Sequence, residues 1–175
     1  TTRSSELWHD GAVAQRFETA LGSPVPGARE QLVVVRAVND RFTVSVDSSG
    51  APLHERGWRQ AIAKAPLRES VAAGLLVAAG WDRTTPLVDP MCGSGTIAIE
   101  AALIAAGVAP AAGRELAFRF WPGFEPGTWA SVAAEIQNLR SEAGDPPRIV
   151  AVDRDAGAVD SARANAERAG VADLI

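Results

Sequence analysis

A glycine-rich segment in the middle of the chain reads Asp89-Pro90-Met91-Cys92-Gly93-Ser94-Gly95-Thr96. It follows a short apolar run that begins at Leu87, and it precedes an apolar helical pattern that ends at Gly107. This order predicts a strand, a tight turn and a helix. Glycine lacks a Cβ, so the backbone of such a turn can approach a ligand closely. The segment therefore predicts a ligand-binding turn at the carboxyl end of a strand.

The sequence after this turn continues to alternate between strand and helix patterns. A second apolar run covers residues 149–153, and a helical pattern runs from Asp155 to Gly170. Such alternation is typical of a parallel sheet with crossover helices. An aromatic insertion separates the two strands, and we expect its side chains to serve mainly in packing; a helix from Thr128 to about Ala143 follows. Its aromatic residues are Phe118, Phe120, Trp121, Phe124 and Trp129.

The first part of the chain has a different pattern. Apolar residues recur at four-residue steps between residues 10 and 21, which predicts an amphipathic helix. Residues 31–38 and 42–46 favour strands around an Asn39-Asp40 turn, so they predict a β-hairpin. A further helix is expected from Pro66, a residue suited to a first helical turn, to Gly80. We expect a division into residues 1–50 and residues 51–175.

Composition excludes some classes of protein. The 175 residues are 47% hydrophobic, yet no apolar run approaches the roughly 18 residues that cross a bilayer, and the first residues do not resemble a signal peptide. We therefore expect a soluble, cytoplasmic protein. The single cysteine, Cys92, has no metal-ligand partners nearby in the sequence, so no metal is expected. The net charge of −4 argues mildly against nucleic acid.

A basic cluster contrasts with this overall charge. Residues 54–68 contain one acidic residue, Glu55, and four basic ones: Arg56, Arg59, Lys64 and Arg68. A solvated basic face is the more common origin of such a cluster. We therefore expect these side chains to face solvent.

Two cofactor classes fit the glycine turn. Gly93, Gly95 and Ala98 satisfy a dinucleotide fingerprint, but the carboxylate of Asp89 would lie unfavourably beside a diphosphate and suits a cationic ligand such as S-adenosyl-L-methionine. Asp153 ends the second strand and could accept hydrogen bonds from ribose hydroxyls, although helix capping is an alternative. It follows Asp89 by 64 residues, against about 20 in dinucleotide folds. The sequence favours the methyl donor.

Several linked motifs resemble one family, the THUMP-containing RNA guanine-N2 methyltransferases, and especially its bacterial branch that acts on 23S ribosomal RNA. Besides the glycine-rich segment, the similarity lies in Leu53-His54-Glu55-Arg56-Gly57-Trp58-Arg59 and Ala65-Pro66-Leu67-Arg68-Glu69. Weaker similarity to the end of a THUMP module lies in Leu7-Trp8-His9 and Ala12-Val13-Ala14-Gln15-Arg16, and similarity to the entry into the catalytic domain lies in residues 44–50.

The resemblance implies an α/β fold: a Rossmann-like class I methyltransferase fold with a partial parallel sheet, preceded by a small α+β segment that is the remnant of an RNA-binding THUMP module. It implies S-adenosyl-L-methionine as cofactor and RNA as partner, with ribosomal RNA favoured over transfer RNA. Asp153 would bind the ribose, and the Pro66-Leu67 segment would border the methionine end of the donor. The remaining cofactor-binding residues would be Asp89, Pro90, Met91, Cys92, Gly93, Ser94, Gly95 and Thr96.

One family motif is missing from the sequence. The family transfers the methyl group at an Asn- or Asp-Pro-Pro-aromatic motif after its fourth strand, whereas the Pro-Pro here, Asp145-Pro146-Pro147-Arg148, precedes the second strand and predicts a loop. We therefore expect the transfer motif to lie beyond Ile175, assign no catalytic residue, and expect the chain alone to be inactive. Methylation of transfer RNA guanine or DNA adenine, and more remotely a nicotinamide-dependent oxidoreductase, stay open as alternatives.

Overall fold

The computed structural model describes residues 2–4, 6, 9–22, 30–60, 67–141 and 144–175. These residues form two compact units. The first contains Thr1–Gly50 together with Glu115–Phe124, and the second contains Ala51–Arg114 together with Glu125–Ile175. The aromatic insertion thus contributes ten residues to the first unit.

In its described residues, the first unit has a three-stranded sheet in the order β1-β2-β3 and one α-helix. Strand β1 (Thr2–Arg3) lies parallel to β2 (Val33–Val38), which pairs antiparallel with β3 (Arg41–Val46); helix α1 covers Asp10–Leu21. Asn39 and Asp40 connect β2 to β3 with φ angles of 49° and 58°. Two positive φ values suit the primed turns whose twist matches a hairpin. The predicted helix and hairpin are therefore confirmed.

The aromatic segment packs within this unit. A 3₁₀ turn spans Ala117–Phe120, and the rings of Phe118 and Phe124 lie 6.0 Å apart at a tilt of 54°. The indole Nε1 of Trp121 donates a 2.7 Å hydrogen bond to Oε1 of Gln31. The packing prediction is thus confirmed for Phe118 and Phe124, whereas Trp121 and Phe120 stay 37% and 48% exposed.

The second unit alternates strands and helices as the sequence predicts. Strands β4 (Leu87–Asp89) and β5 (Ile149–Ala151) pair in parallel, with Leu87 opposite Ile149. This confirms the parallel sheet. Its helices are α2 (Glu69–Ala78), α3 (Thr96–Ala105), α4 (Pro126–Ser141) and α5 (Ala156–Ala169), with a final 3₁₀ turn at Ala172–Leu174.

Helix α3 is the centre of the core. Its buried face is made mostly of alanines around Ile99, which is fully buried, and it packs against α2, α5 and both strands. Small side chains allow these elements to approach closely. Trp58 and Ile149 complete the same cluster. Among the described residues, no helix is both long and apolar enough to span a membrane.

Helix α2 begins later than the sequence predicts. Pro66 lies outside the described residues, and Arg68 is the extended N-cap residue, with φ −70° and ψ 142°. The first carbonyl to accept helical bonds is that of Arg68, from the N–H groups of Val71 and Ala72. The carbonyl of Leu67 instead accepts a 2.5 Å hydrogen bond from the guanidinium of Arg59. A side-chain hydrogen bond from Arg59 thus occupies the carbonyl that precedes the helix.

Candidate functional site

The carboxyl ends of β4 and β5 bring the predicted turn and Asp153 together. Beyond the paired strands, the N–H of Val152 donates to the carbonyl of Asp89 at 2.8 Å, and the N–H of Cys92 donates to the carbonyl of Val152 at 2.9 Å. These two bonds fix the start of the turn against the chain that leaves β5. Open parallel sheets bind ligands outside this edge.

Asp153 is tied to the turn by its side chain. Its Oδ2 accepts from the N–H of Gly93 at 2.9 Å, and its Oδ1 accepts from the N–H of Asp155 at 3.0 Å. These N–H groups, that of Asp155 first, hold the pKa of the Asp153 carboxyl below its ordinary value. Helix α5 itself is capped by Asp155, whose Oδ1 accepts from the N–H of Gly157. A carboxylate has about four lone-pair sites, so Asp153 keeps acceptor capacity for a ligand.

The pKa of Asp89 is shifted in the opposite direction to that of Asp153. It is half-buried at the end of β4, and its Oδ1 accepts from the N–H of Met91 at 3.3 Å. Burial is the main cause that raises the pKa of this carboxyl, and the negative charge of Asp153 adds to it. A carboxylate that is desolvated beside a like charge is stabilised when a cation binds nearby. The site therefore favours a positively charged ligand over an anionic one.

The two glycines of the turn serve different purposes. Gly93 has a φ of +53°, and a Cβ built on it would meet nothing within 4 Å, so its surface is open. Gly95 has a φ of +84°, and a Cβ there would lie 2.9 Å from the Cβ of Ala162 and 3.2 Å from its Cα. Helix α5 therefore occupies the space on the Cβ side of Gly95, and the prediction that the backbone of Gly95 also lines a ligand pocket stays a prediction. Gly95 permits the close packing of α3 and α5.

The other predicted turn residues divide between surface and interior. Pro90 and Met91 are exposed, Met91 by 83%, whereas Cys92, Ser94 and Thr96 are buried. Burial, followed by the nearby carboxylates, raises the pKa of the Cys92 thiol. A thiol of raised pKa is a poor nucleophile. Within the described residues, no cluster of histidine, cysteine and acidic side chains could hold a metal ion.

Asn165 supports the turn, although no motif in the sequence points to it. It is fully buried on α5, its Nδ2 donates to the carbonyl of Ser94 at 3.0 Å, and its Oδ1 accepts from the N–H of Gln60 at 3.4 Å. Arg168 also donates to this Oδ1, and its Nε donates to the carbonyl of Trp58. Polar residues on α5 thus hold the turn and residues 58–60 together.

The expectation that the basic cluster is a solvated face is wrong for Arg56 and Arg59. Arg56 forms two 3.2 Å hydrogen bonds to the carboxylate of Glu100, and Arg59 lies 3.2 Å from Glu69; all four side chains are nearly or fully buried. Burial raises the pKa of Glu100, and its bonds to Arg56 oppose that change. Arg68 is exposed, and Lys64 lies outside the described residues. Tertiary pairing, which charge patterning does not reveal, places the first two arginines inside.

A cavity of about 820 Å³ in the second unit is not the candidate site. It touches the turn only at Cys92 and Gly95, and otherwise lies along β5 and α5. Asp89, Gly93 and Asp153 do not line it. The candidate site is the opposite, open side of the turn, where the two carboxylates and Gly93 meet.

Comparison with protein families gives a match that covers most of the chain. Residues 56–175 match the family described as "RMKL-like, methyltransferase domain". The chain is 43% identical over 144 residues to the "Ribosomal RNA large subunit methyltransferase K/L" of Vibrio cholerae, and 42% identical over 146 residues to that of Vibrio parahaemolyticus. These matches cover 81% and 82% of the chain but only 20% and 21% of the relatives, so the chain spans about a fifth of their length.

Solved structures show the same fold. A "possible methylase" from Clostridium difficile superposes with a TM-score of 0.79 at 34% identity, and the SMU.472 protein complexed with SAH gives 0.81 at 28%. A Listeria monocytogenes protein titled a "predicted N6-adenine-specific DNA methylase" gives 0.77 at 32%. The matches cover 99–100% of this chain and 48% of each neighbour. The expected class I methyltransferase fold is confirmed.

Proposed function

The chain belongs to the RMKL-like methyltransferase domain family, and on this premise we propose that it binds S-adenosyl-L-methionine at the turn from Asp89 to Thr96. One observation carries the proposal: a glycine turn with an open surface at Gly93 lies between two carboxylates, Asp89 and Asp153, at the ends of adjacent parallel strands. The family and the SAH bound in a structural neighbour support it.

The charges of the site suit this donor. S-adenosylmethionine carries a methyl group on a cationic sulfonium, so its transfer to a nucleophile releases a neutral thioether. Burial disfavours the ionised form of Asp89, and a cation bound nearby would stabilise that form. The diphosphate of a dinucleotide would instead be repelled by the two carboxylates. The nicotinamide-dependent alternative is therefore disfavoured.

We assign the site residues as follows. Asp153 would accept hydrogen bonds from the ribose hydroxyls, because its carboxylate is partly exposed and has remaining lone pairs. Gly93, which lacks a side chain, would allow the ligand to contact the backbone of the turn. Pro66 and Leu67 would border the methionine end. The exposed Pro90 and Met91 would line the pocket, and the buried Cys92, Ser94, Gly95 and Thr96 would hold its shape.

The substrate we propose is large-subunit ribosomal RNA, modified at the N2 amine of a guanine. The names of the Vibrio relatives support ribosomal RNA, and the resemblance of the motifs supports guanine-N2. Within this proposal, residues 1–50 are the end of a THUMP-type RNA-binding module, residues 51–175 bind the donor, and the protein works in the cytoplasm, where ribosomes are made. A target base must be unpaired or flipped to reach such a donor.

DNA adenine is the second candidate acceptor, because the Listeria neighbour is titled an adenine-specific DNA methylase. Both acceptors present an exocyclic amine. The sequence contains no Asn- or Asp-Pro-Pro-aromatic motif, so the acceptor test uses the complete gene product. Tritiated methyl transfer is compared on unmodified 23S ribosomal RNA, transfer RNA and DNA. Label in DNA alone would overturn the ribosomal proposal.

Donor binding is tested directly by calorimetry with the complete gene product. We expect S-adenosylhomocysteine and S-adenosylmethionine to bind and NADH not to bind. Gly93→Val should abolish binding, since a branched side chain would fill the open surface of the turn. Binding of NADH without S-adenosylhomocysteine would refute the donor assignment.

A further inference from the structure

The guanidinium of Arg59 contacts the start of α2, the start of α3 and the ring of Trp58. Its Nη2 donates to the carbonyl of Leu67 at 2.5 Å and to Oγ1 of Thr96 at 3.0 Å. Its Nε lies 3.2 Å from Oε1 of Glu69, an ion pair in which the N–H is not aligned for a hydrogen bond. It also stacks over the ring of Trp58, with Cζ 5.5 Å from the centroid.

These contacts all lie beside the glycine-rich turn. Thr96 is the last residue of the turn segment and the first residue of α3. Leu67 precedes α2, and Glu69 is its first residue. The planar guanidinium can hold several acceptors at fixed angles, which a lysine ammonium on a flexible stem does not reproduce. We propose that Arg59 is a positioning residue of the methyl-donor site: it fixes the entry of α2 relative to the turn, and so sets the width of the site. This inference rests on the proposed function.

The charge of Arg59 does not itself attract a ligand. Glu69 neutralises it, and both side chains are largely buried. Its effect on donor affinity must therefore pass through Leu67 and Thr96. If Arg59 served only the stability of the fold, its replacement would not change the affinity for the ligand. The inference is therefore tested by measuring whether the loss of affinity in an Arg59 variant depends on Thr96.

The chain supplies a matched control in Arg56. It pairs with Glu100 at the same 3.2 Å, and both partners are as well buried as Arg59 and Glu69. Its other side-chain hydrogen bond goes to the carbonyl of Leu53, and none of these contacts reaches the turn. Arg56→Met and Arg59→Met thus each leave one buried carboxylate without its arginine, but only the second change removes a contact to Thr96.

The experiment measures S-adenosylhomocysteine affinity by calorimetry and the unfolding temperature of each variant. We expect both methionine variants to unfold at lower temperatures, and only Arg59→Met to bind about tenfold or more weakly, since hydrogen bonds to charged groups are involved. Thr96→Val should weaken binding too, and the double variant Arg59→Met with Thr96→Val should bind no more weakly than Arg59→Met alone. Equal affinity of Arg59→Met and wild type, or additive losses in the double variant, would overturn the inference.

A second variant tests the inference if Arg59→Met does not fold. Arg59→Lys keeps a positive charge near Glu69, but its single ammonium cannot reproduce the fork in which Nε faces Glu69 while Nη2 holds Leu67 and Thr96, so the variant should stay folded and still bind several-fold more weakly. Wild-type affinity in Arg59→Lys would also overturn the inference. Absence of S-adenosylhomocysteine binding by the wild type is a different result, which refutes the proposed function itself.

Discussion

Replacing each turn glycine by alanine separates folding from ligand binding. At Gly95 the new Cβ would lie 2.9 Å from the Cβ of Ala162 and 3.3 Å from Cδ1 of Ile99, in a backbone with φ +84°. The left-handed conformation costs about 1–2 kcal/mol for a residue with a Cβ. Overpacking of a close-packed core adds about 1–3 kcal/mol. We therefore expect Gly95→Ala to lower the free energy of unfolding by about 2–5 kcal/mol.

Gly93→Ala should behave differently. Its φ of +53° carries the same backbone cost, about 1–2 kcal/mol, but its Cβ would project into open space. The protein should stay folded, and its affinity for S-adenosylhomocysteine should fall, because the new methyl group occupies the surface where the donor is proposed to lie.

Urea unfolding followed by circular dichroism measures the first effect, and calorimetry measures the second. Ala162→Gly supplies a control: it should itself cost about 1 kcal/mol within α5, but because it removes the 2.9 Å contact, Gly95→Ala should lower the free energy of unfolding less in the Ala162→Gly background than in the wild type. A loss below about 1 kcal/mol in Gly95→Ala would contradict the packing role of this glycine. Unchanged affinity in a folded Gly93→Ala variant would contradict the proposed ligand surface.

Three further predictions concern polar residues of the site. Burial raises the pKa of Asp89 above its ordinary value, so calorimetry should show that the affinity for S-adenosylmethionine falls as the pH drops through that raised pKa. Asp89→Asn should bind weakly and show a flatter pH profile. Asn165→Leu leaves the carbonyl of Ser94 without its donor and should cost about 1–3 kcal/mol in urea unfolding; wild-type stability would contradict this role. Asp153→Ala should weaken S-adenosylhomocysteine binding by about 1–3 kcal/mol, and unchanged affinity would leave Asp153 a structural role through its bonds to the N–H groups of Gly93 and Asp155.

Local pattern was enough to predict most secondary structure. The hairpin around Asn39-Asp40, the strands β4 and β5, and the helices α3 and α5 each carry their own periodicity and end signals, because turn residues and helix caps act within a few neighbours. The same pattern placed a glycine turn between a strand and a helix with Asp89 before it. Parallel pairing of the strands then brings Asp153 to the same edge, as strand order requires.

Tertiary structure decided what each side chain does. The sequence alone cannot distinguish the open surface of Gly93 from the packed surface of Gly95, because only the position of Ala162 on α5 separates them. It also predicted a solvated Arg59, whose partner Glu69 enters the interior with it. Burial of a charge depends on a partner supplied by the fold. The sequence by itself therefore determined the elements and the turn, while contacts between residues distant in the chain determined which of those residues support the site and which remain open to a ligand.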